Sequence, residues 1–393
     1  MTPVTASFEA LGVSPDLIAR LADDGIDAPF AIQELTIRDG LAGRDVCGKA
    51  KTGSGKTLAF GLPLVQRVSK AEPHKPTGLV LVPTRELANQ VSEVLTPLAK
   101  VKGRTVQTVY GGVGFEPQRE ALQRGVDILV ATPGRLIDLM EHRDVHFDKI
   151  EVLVLDEADR MLDMGFSPQV QKILYKVTGP HQTMLFSATL DGAIARIVNR
   201  YLADPVSHEV ESDEPTVDQM EHRFFYVHQL DKVKVAAAIC RGVDRALLFT
   251  NTKRAADKVA QQLEREGIKA MAIHGDLRQP ARERALAQFS TGKVPVLVAT
   301  DVAARGLHID AVDVVVHYDP TDDSNNYLHR SGRTARAGRT GVAVTLMLWN
   351  QENDIRAVQR RLGLTQPIVE VFSNDPRLGD LAAWDPAAED AVA

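Results

Sequence analysis

Ten short runs rich in Val, Ile and Leu, five in each half of the chain and each followed by a helical stretch, constrain this sequence more than any other feature. In the first half they are Leu79–Val82, Thr105–Val109, Ile128–Val130, Val152–Leu155 and Met184–Phe186. In the second half they are Ala246–Thr250, Ala270–Ile273, Val294–Ala299, Val312–His317 and Val342–Met347. A strand apolar on both faces needs cover on both faces, which is the condition of parallel strands joined by helical crossovers. The pattern therefore predicts an α/β fold class, and 393 residues exceed what one ordinary core accommodates. Between the two sets, Ser207–Gln219 carries Glu209, Glu211, Asp213, Glu214, Asp218 and Pro215 with few apolar residues, the composition of a linker. The expected organisation is a first domain over 1–207, an acidic linker over 208–219, a second domain over 220–370 and a loose acidic tail over 371–393.

Several function classes are excluded early. No apolar run approaches the roughly 18 residues that cross a bilayer, and the first ten residues lack the basic and apolar regions of a signal peptide. Only Cys47 and Cys240 are present, so no disulfide framework or Cys-based zinc site exists, and a reducing, cytoplasmic setting is expected. A net charge of −6 is not the basic footprint of a nucleic-acid binder, although a basic stripe within a cleft remains compatible with it. Composition alone leans slightly against nucleic acid.

Motifs reverse that lean. Ala50-Lys51-Thr52-Gly53-Ser54-Gly55-Lys56-Thr57 follows the short segment Asp45–Cys47, precedes an apolar helix, and fits a phosphate-binding loop with Ala50 in place of the first glycine. Gly53, Ser54 and Gly55 would turn backbone N–H groups toward phosphate oxygens; Lys56 would reach the outer phosphates and the Thr57 hydroxyl a Mg²⁺ ion. A glycine turn before a helix, with Lys56 merely solvated, is the plainer alternative. Roughly a hundred residues later the run Val152–Leu155 ends in Asp156-Glu157. A carboxylate leaving a buried strand is costly unless it serves a cation. Asp156 suits the metal shell and Glu157 suits orienting or deprotonating an attacking water; alone, the pair would read as an acidic helix cap. In the second half, His329-Arg330-Ser331-Gly332-Arg333-Thr334-Ala335-Arg336 sets Arg333 and Arg336 three apart, on one face of a helical turn. Such guanidiniums can offset charge on the far side of a γ-phosphate, a contribution of roughly 10³–10⁵ in rate. By itself an arginine-rich turn is more often a surface or phosphate-backbone contact.

In order, Gln33, Ala50–Thr57, Pro83–Ala88, Gly111-Gly112, Thr132–Arg135, Asp156–Asp159 and Ser187-Ala188-Thr189, then Leu248–Thr252, His274–Gln279 with Arg282, Thr300–Gly306 and His329–Arg336, resemble a bacterial-type DEAD-box RNA helicase from about Phe8 to Met347. The resemblance implies two tandem RecA-like domains, each a mostly parallel sheet with helices on both faces, using ATP and Mg²⁺ and binding RNA. It implies that Gln33 reads adenine, that Asp301 belongs to the nucleotide site, and that Thr84, Arg85, Gly112, Thr132, Gly134 and Arg135 contact RNA in the first domain. Thr252, Gly275, Gln279, Arg282 and Thr300 would do so in the second. Hydroxyls, exposed-backbone glycines and guanidiniums suit phosphate and sugar, so little sequence preference is expected. Ser187 and Thr189 resemble the motif coupling nucleotide state to RNA, and Asp159 is assigned to that coupling. Ribosomal, ribonucleoprotein or RNA-decay partners and a monomeric state are expected.

Four positions depart from the family pattern: Ile26 in place of an aromatic, Phe30 in place of Thr or Ser, His308 in place of an acid, and Lys51 in place of Gln. Three border the base or sugar. Either nucleotide affinity and base choice are relaxed, or Phe30 or His308 compensates. Competing activities are a nucleotide-gated RNA clamp, a P-loop ATPase indifferent to nucleic acid, and a DNA helicase.

Overall fold

The computed structural model describes residues 6–50, 54–190, 192–210, 220–304, 309, 312–334, 341–381 and 383–384, with only the backbone of 302 and 325. The chain divides into two compact units, Met1–Ser212 and Asp213–Ala393. The first contains strands β1 (Val46–Lys49), β2 (Gly78–Leu81), β3 (Val106–Val109), β4 (Ile128–Ala131), β5 (Val152–Leu155), β6 (Gln182–Ser187) and β7 (Val206–Glu209). The second contains β8 (Met220–Tyr226), β9 (Ala246–Thr250), β10 (Ala270–Ile273), β11 (Val296–Thr300), β12 (Val314–His317), β13 (Gly341–Met347) and β14 (Ile368–Glu370).

The spatial orders are β3-β4-β2-β5-β6-β1-β7 and β10-β11-β9-β12-β13-β8-β14, one topology used twice, with every pairing parallel. All loops leaving the carboxyl ends therefore emerge along one edge of each sheet, where open α/β sheets hold ligands. Alternation along each strand builds two cores. Val80, Ile128, Val130, Val152, Val154 and Phe186 face one cluster, whereas Leu79, Leu81, Leu129, Leu153, Leu155 and Leu185 face the other. Each such side chain contributes roughly 1.5–3 kcal/mol on burial. The second unit repeats the arrangement, with Leu248, Val298 and Val316 on one face and Leu247, Phe249, Leu297 and Val315 on the other.

Two expectations change. His208 and Glu209, placed in a linker by composition, belong to β7, which pairs with β1; Val210 N–H then donates to the Lys49 carbonyl at 3.0 Å. Residues 211–219 lie outside the described residues. The expected loose tail is folded as far as Trp384. Val371, Leu378, Leu381 and Trp384 are buried, and the Trp384 ring stacks on Phe225 at 5.2 Å with an 11° interplanar angle. The Trp384 carbonyl accepts from Arg223 Nε at 3.0 Å, and the Ser373 amide and hydroxyl donate to Asp231 at 2.7 and 2.8 Å. A few large apolar side chains outweigh the acidic composition on which the expectation rested.

Candidate functional site

On the first sheet, β1 ends beneath the phosphate loop. Ala50 N–H donates to the Ser187 carbonyl at 3.0 Å, tying the loop's entrance to the end of β6. Residues 51–53, including Gly53, lie outside the described residues. Gly55 caps the helix Lys56–Arg67 in the left-handed region at φ 85°, which only glycine adopts without strain. Lys56 is buried, its Nζ donating to the Ala50 carbonyl at 3.0 Å. Ser54 and Thr57 are half-buried at the helix start, where unpaired N–H groups and the helix dipole favour an anion.

Gln33 sits against this loop rather than on a helix surface. Its Nε2 donates to the Gly55 carbonyl at 2.9 Å and its Oε1 accepts the Phe30 amide at 2.9 Å, capping the helix Ala31–Leu41. The Phe30 ring, 60% exposed, borders the same loop, whereas Ile26 packs against the core. A β-carbon on Gly55 would overlap the Gln33 amide nitrogen and lie 2.6 Å from Phe30 Cδ2.

Asp156 and Glu157 leave β5 and are both buried. Burial pushes the Asp156 carboxyl up to about 6, against the pull of the Lys56 ammonium, while the Glu157 and Asp159 charges add to the rise. Glu157 adopts φ 50°, ψ 49°, a left-handed conformation that costs a non-glycine residue roughly 1–2 kcal/mol. Its carboxylate is ion-paired with Arg160, also buried. Asp159 and the end of β6 exchange hydrogen bonds: Asp159 N–H donates to Ser187 Oγ at 3.3 Å, and Ala188 N–H donates to Asp159 Oδ2 at 3.1 Å. Ser187 is fully buried and Thr189 exposed.

The other half of the same edge carries the remaining first-domain candidates. Thr84, after β2, caps the helix Arg85–Val101 by accepting the Leu87 amide at 3.3 Å. The Arg85 guanidinium lies against Gly112, after β3, so closely that a β-carbon there would overlap it. After β4, Thr132 is buried and Gly134 is exposed with open space around it. Arg135 lies 5.2 Å over the Phe115 ring and donates from Nη2 to the Val113 carbonyl at 3.1 Å, while its buried Nη1 has no hydrogen-bond partner among the described residues. A buried guanidinium N–H with spare capacity suits a phosphate oxygen.

The second sheet places its candidates similarly. Thr252 follows β9 and caps the helix Lys253–Arg265 by accepting the Ala255 amide at 3.1 Å. Gly275 follows β10 and is exposed beside Lys253; Thr300 ends β11 and is buried. Gln279 Nε2 donates to Glu283 at 3.0 Å, and Arg282 Nη2 donates to the Ala303 carbonyl at 3.0 Å. Asp301, expected at the nucleotide, accepts from Arg330 Nε at 2.5 Å and Nη2 at 2.7 Å, and from Asn326 at 3.1 Å. Arg333 is buried two residues beyond the helix Ser324–Ser331. Arg336, His308 and Lys51 lie outside the described residues.

A family model described as DEAD/DEAH box helicase matches residues 30–197, and one described as helicase conserved C-terminal domain matches 231–338. The chain is 40% identical over 359 residues to the DEAD-box ATP-dependent RNA helicase CshA of Bacillus subtilis, spanning 91% of this chain and 72% of that relative. The chain belongs to the DEAD-box helicase family. The ATP-dependent RNA helicase CshA of Listeria monocytogenes is also 40% identical, over 90% of this chain and 68% of that one. The solved structure of S. cerevisiae Dbp5 bound to RNA and ADP BeF3 matches with a TM-score of 0.79 and 31% identity, covering 94% of this chain and 96% of that one. The two units are thus the tandem RecA-like domains of a DEAD-box chain.

Two arginines escaped the sequence reading of this DEAD-box chain. Arg160 follows the tetrapeptide directly and pairs with Glu157 across one helical turn, a signal present in the i, i+3 spacing. Arg330 is almost fully buried; besides Asp301 it donates to the Asp319 carbonyl at 2.7 Å and lies 5.2 Å over Phe249. No local pattern distinguishes it from Arg333, because its partners come from distant strands.

Proposed function

We propose that this chain is an ATP-dependent RNA helicase in which RNA-stimulated ATP hydrolysis drives local separation of short RNA duplexes or remodelling of ribonucleoprotein. The observation that carries this reading is the division of one sheet edge. The phosphate loop and Asp156-Glu157 follow β1 and β5 and Ser187 ends β6, whereas Thr84-Arg85, Gly112 and Thr132–Arg135 follow β2, β3 and β4. The reciprocal bonds between Asp159 and Ser187-Ala188 fasten the ends of β5 and β6 within the nucleotide half.

In this reading the ATP phosphates lie on the backbone amides at the start of the helix Lys56–Arg67, and Lys56 exchanges its Ala50 contact for a phosphate oxygen. Asp156 and Thr57 suit Mg²⁺, because a carboxylate whose burial disfavours its charge is relieved by a cation, and nucleotide phosphates complete such a shell. Bound there, the ion would neutralise phosphate charge. Glu157, held in its left-handed turn, orients the attacking water, and Arg333 and Arg336 offset charge on the transferred phosphoryl group. RNA is gripped through phosphate and sugar by Thr84, Arg85, Gly112, Thr132, Gly134, Arg135, Thr252, Gly275, Gln279, Arg282 and Thr300, and the 2′-hydroxyl separates RNA from DNA. Gln33, already joined to Gly55 and Phe30, keeps one donor and one acceptor for adenine. A cytoplasmic monomer acting with ribonucleoprotein partners completes the proposal.

The test is displacement of one strand of a short RNA duplex with ATP, with ADP and without nucleotide, alongside ATP turnover with RNA and with DNA of equal length. Strand release that requires ATP, and turnover stimulated by RNA alone, are expected. Turnover indifferent to RNA would remove the proposal.

A further inference from the structure

Three large apolar side chains stand exposed on the second unit among the described residues: Leu230 at 85%, Trp349 at 76% and Phe372 at 53%. Leu230 lies more than a hundred residues before the other two, yet each of the three follows one of three adjacent parallel strands. Leu230 lies beyond β8, Trp349 beyond β13 and Phe372 beyond β14, and the sheet order is β13-β8-β14. Hydrogen bonds hold the three exits level: Val227 N–H donates to the Met347 carbonyl at 3.0 Å and Val371 N–H to the Tyr226 carbonyl at 3.0 Å. The bonds from Ser373 to Asp231 then pin the neighbour of Phe372 to the neighbour of Leu230. The tail that folds back to bury Trp384 thus holds Phe372 out in water.

Exposing Trp, Leu and Phe together costs hydration free energy that burying them elsewhere would recover, and such clusters mark interaction surfaces. Charge selects the kind of partner. Residues 227–231, 348–354 and 368–376 contain Asp231, Glu352, Asp354, Glu370 and Asp375 and neither Lys nor Arg. Of the nearest flanking cations, Arg356 is paired with Glu352, Arg377 with Asp375, and Lys232 is buried over the Tyr318 ring; Asp231, Asp354 and Glu370 then outweigh the exposed Lys234. A phosphate backbone would be repelled here, unlike at the β10-β11-β9 half of the same edge. We propose that the carboxyl edge of β13-β8-β14 is a docking surface for a basic protein segment carrying large apolar side chains, with Leu230, Trp349 and Phe372 as its anchors.

The chain itself supplies a reporter, because it has only two tryptophans and Trp384 is buried while Trp349 is exposed. The full chain is titrated with a short amphipathic peptide of Leu, Phe and Arg, and with its twin bearing Glu for every Arg, while tryptophan emission is followed. The Arg peptide should shift emission to the blue and bind less tightly as salt rises; the Glu twin should not bind. The Leu230→Ser/Phe372→Ser double variant, altered only at exposed positions, should lose at least tenfold in affinity with unchanged RNA-stimulated ATP turnover. In Trp349→Ser, emission should not respond to the peptide. Equal binding of the two peptides, or binding undiminished in the double variant, would overturn the proposal. So would a blue shift produced by raising the protein concentration alone, which would assign the surface to a second copy, or one produced by adding homopolymeric RNA alone.

Discussion

Replacing Gly55 by alanine separates two costs that the phosphate loop combines. At φ 85° a β-carbon costs roughly 1–2 kcal/mol in backbone strain wherever it is placed. At Gly55 it also overlaps the Gln33 amide and comes within 2.6 Å of Phe30 Cδ2. Phe30 can swing into solvent, but Gln33 is buried, and displacing it breaks its bonds to the Gly55 carbonyl and the Phe30 amide, each 2.9 Å long. At about 1 kcal/mol per bond the crowding adds about 2 kcal/mol. Gly103→Ala is the matched control: its φ is 63° and nothing lies within 4 Å of the added carbon, so it bears the strain alone. The expected difference in melting temperature between the variants is about 4–8 °C, taking 2–4 °C per kcal/mol for a domain of this size. Because the crowding falls on the loop that would hold phosphates, ATP affinity should drop by roughly 30-fold in Gly55→Ala and stay unchanged in Gly103→Ala. Differential scanning fluorimetry and titration with a fluorescent ATP analogue measure both. Equal melting temperatures, or full nucleotide affinity in Gly55→Ala, would refute the claim that Gln33 and Gly55 form one unit.

Three further outcomes are expected. Phe30→Ala removes the aromatic ring bordering the loop and should raise the ATP concentration needed for half-maximal turnover by roughly tenfold or more, with little change in maximal rate; an unchanged requirement would mean that Phe30 does not replace the aromatic missing at Ile26. Asp159→Ala deprives the Ala188 amide of its acceptor and should preserve ATP affinity while lowering RNA-stimulated turnover at least tenfold, read by comparing nucleotide titration with turnover at saturating RNA. Trp384→Ala should destabilise the second unit by about 3–5 kcal/mol, as loss of a large buried aromatic does, measured by urea unfolding.

Central strands were legible because burial on both faces leaves Val, Ile and Leu in unbroken runs, as in Val152–Leu155 and Ala246–Thr250. Four strands were missed for identifiable reasons. β7 reads Val-Ser-His-Glu because it is an edge strand, half exposed, and β14 is a three-residue edge. β8 carries His222 and Arg223, buried because Tyr327 Oη lies 2.8 Å from His222 Nδ1 and the Trp384 carbonyl accepts from Arg223, partners more than a hundred residues away. β1 reads Val-Cys-Gly-Lys, so no unbroken apolar run marks it. At the candidate site, residue types and their order point to phosphate and metal chemistry, because that chemistry restricts the usable side chains. The ties of Gln33 to Gly55 and of Asp301 to Arg330 could not be read from the sequence, because they depend on which loops the fold brings together, whereas the Glu157–Arg160 pair was present in the spacing and went unread.

The proposed mechanism turns on Glu157, which orients the attacking water and takes no part in holding ATP. Glu157→Gln keeps the side chain's size and removes its charge. In one titration series, ATP affinity, RNA retention and ATP turnover are measured for this variant beside the parent protein. Near-normal ATP affinity is expected, with turnover lower by at least a hundredfold (roughly the least that a general base contributes) and RNA held for as long as ATP is present. Turnover at the parent rate would contradict the mechanism, and so would loss of ATP binding in step with loss of turnover.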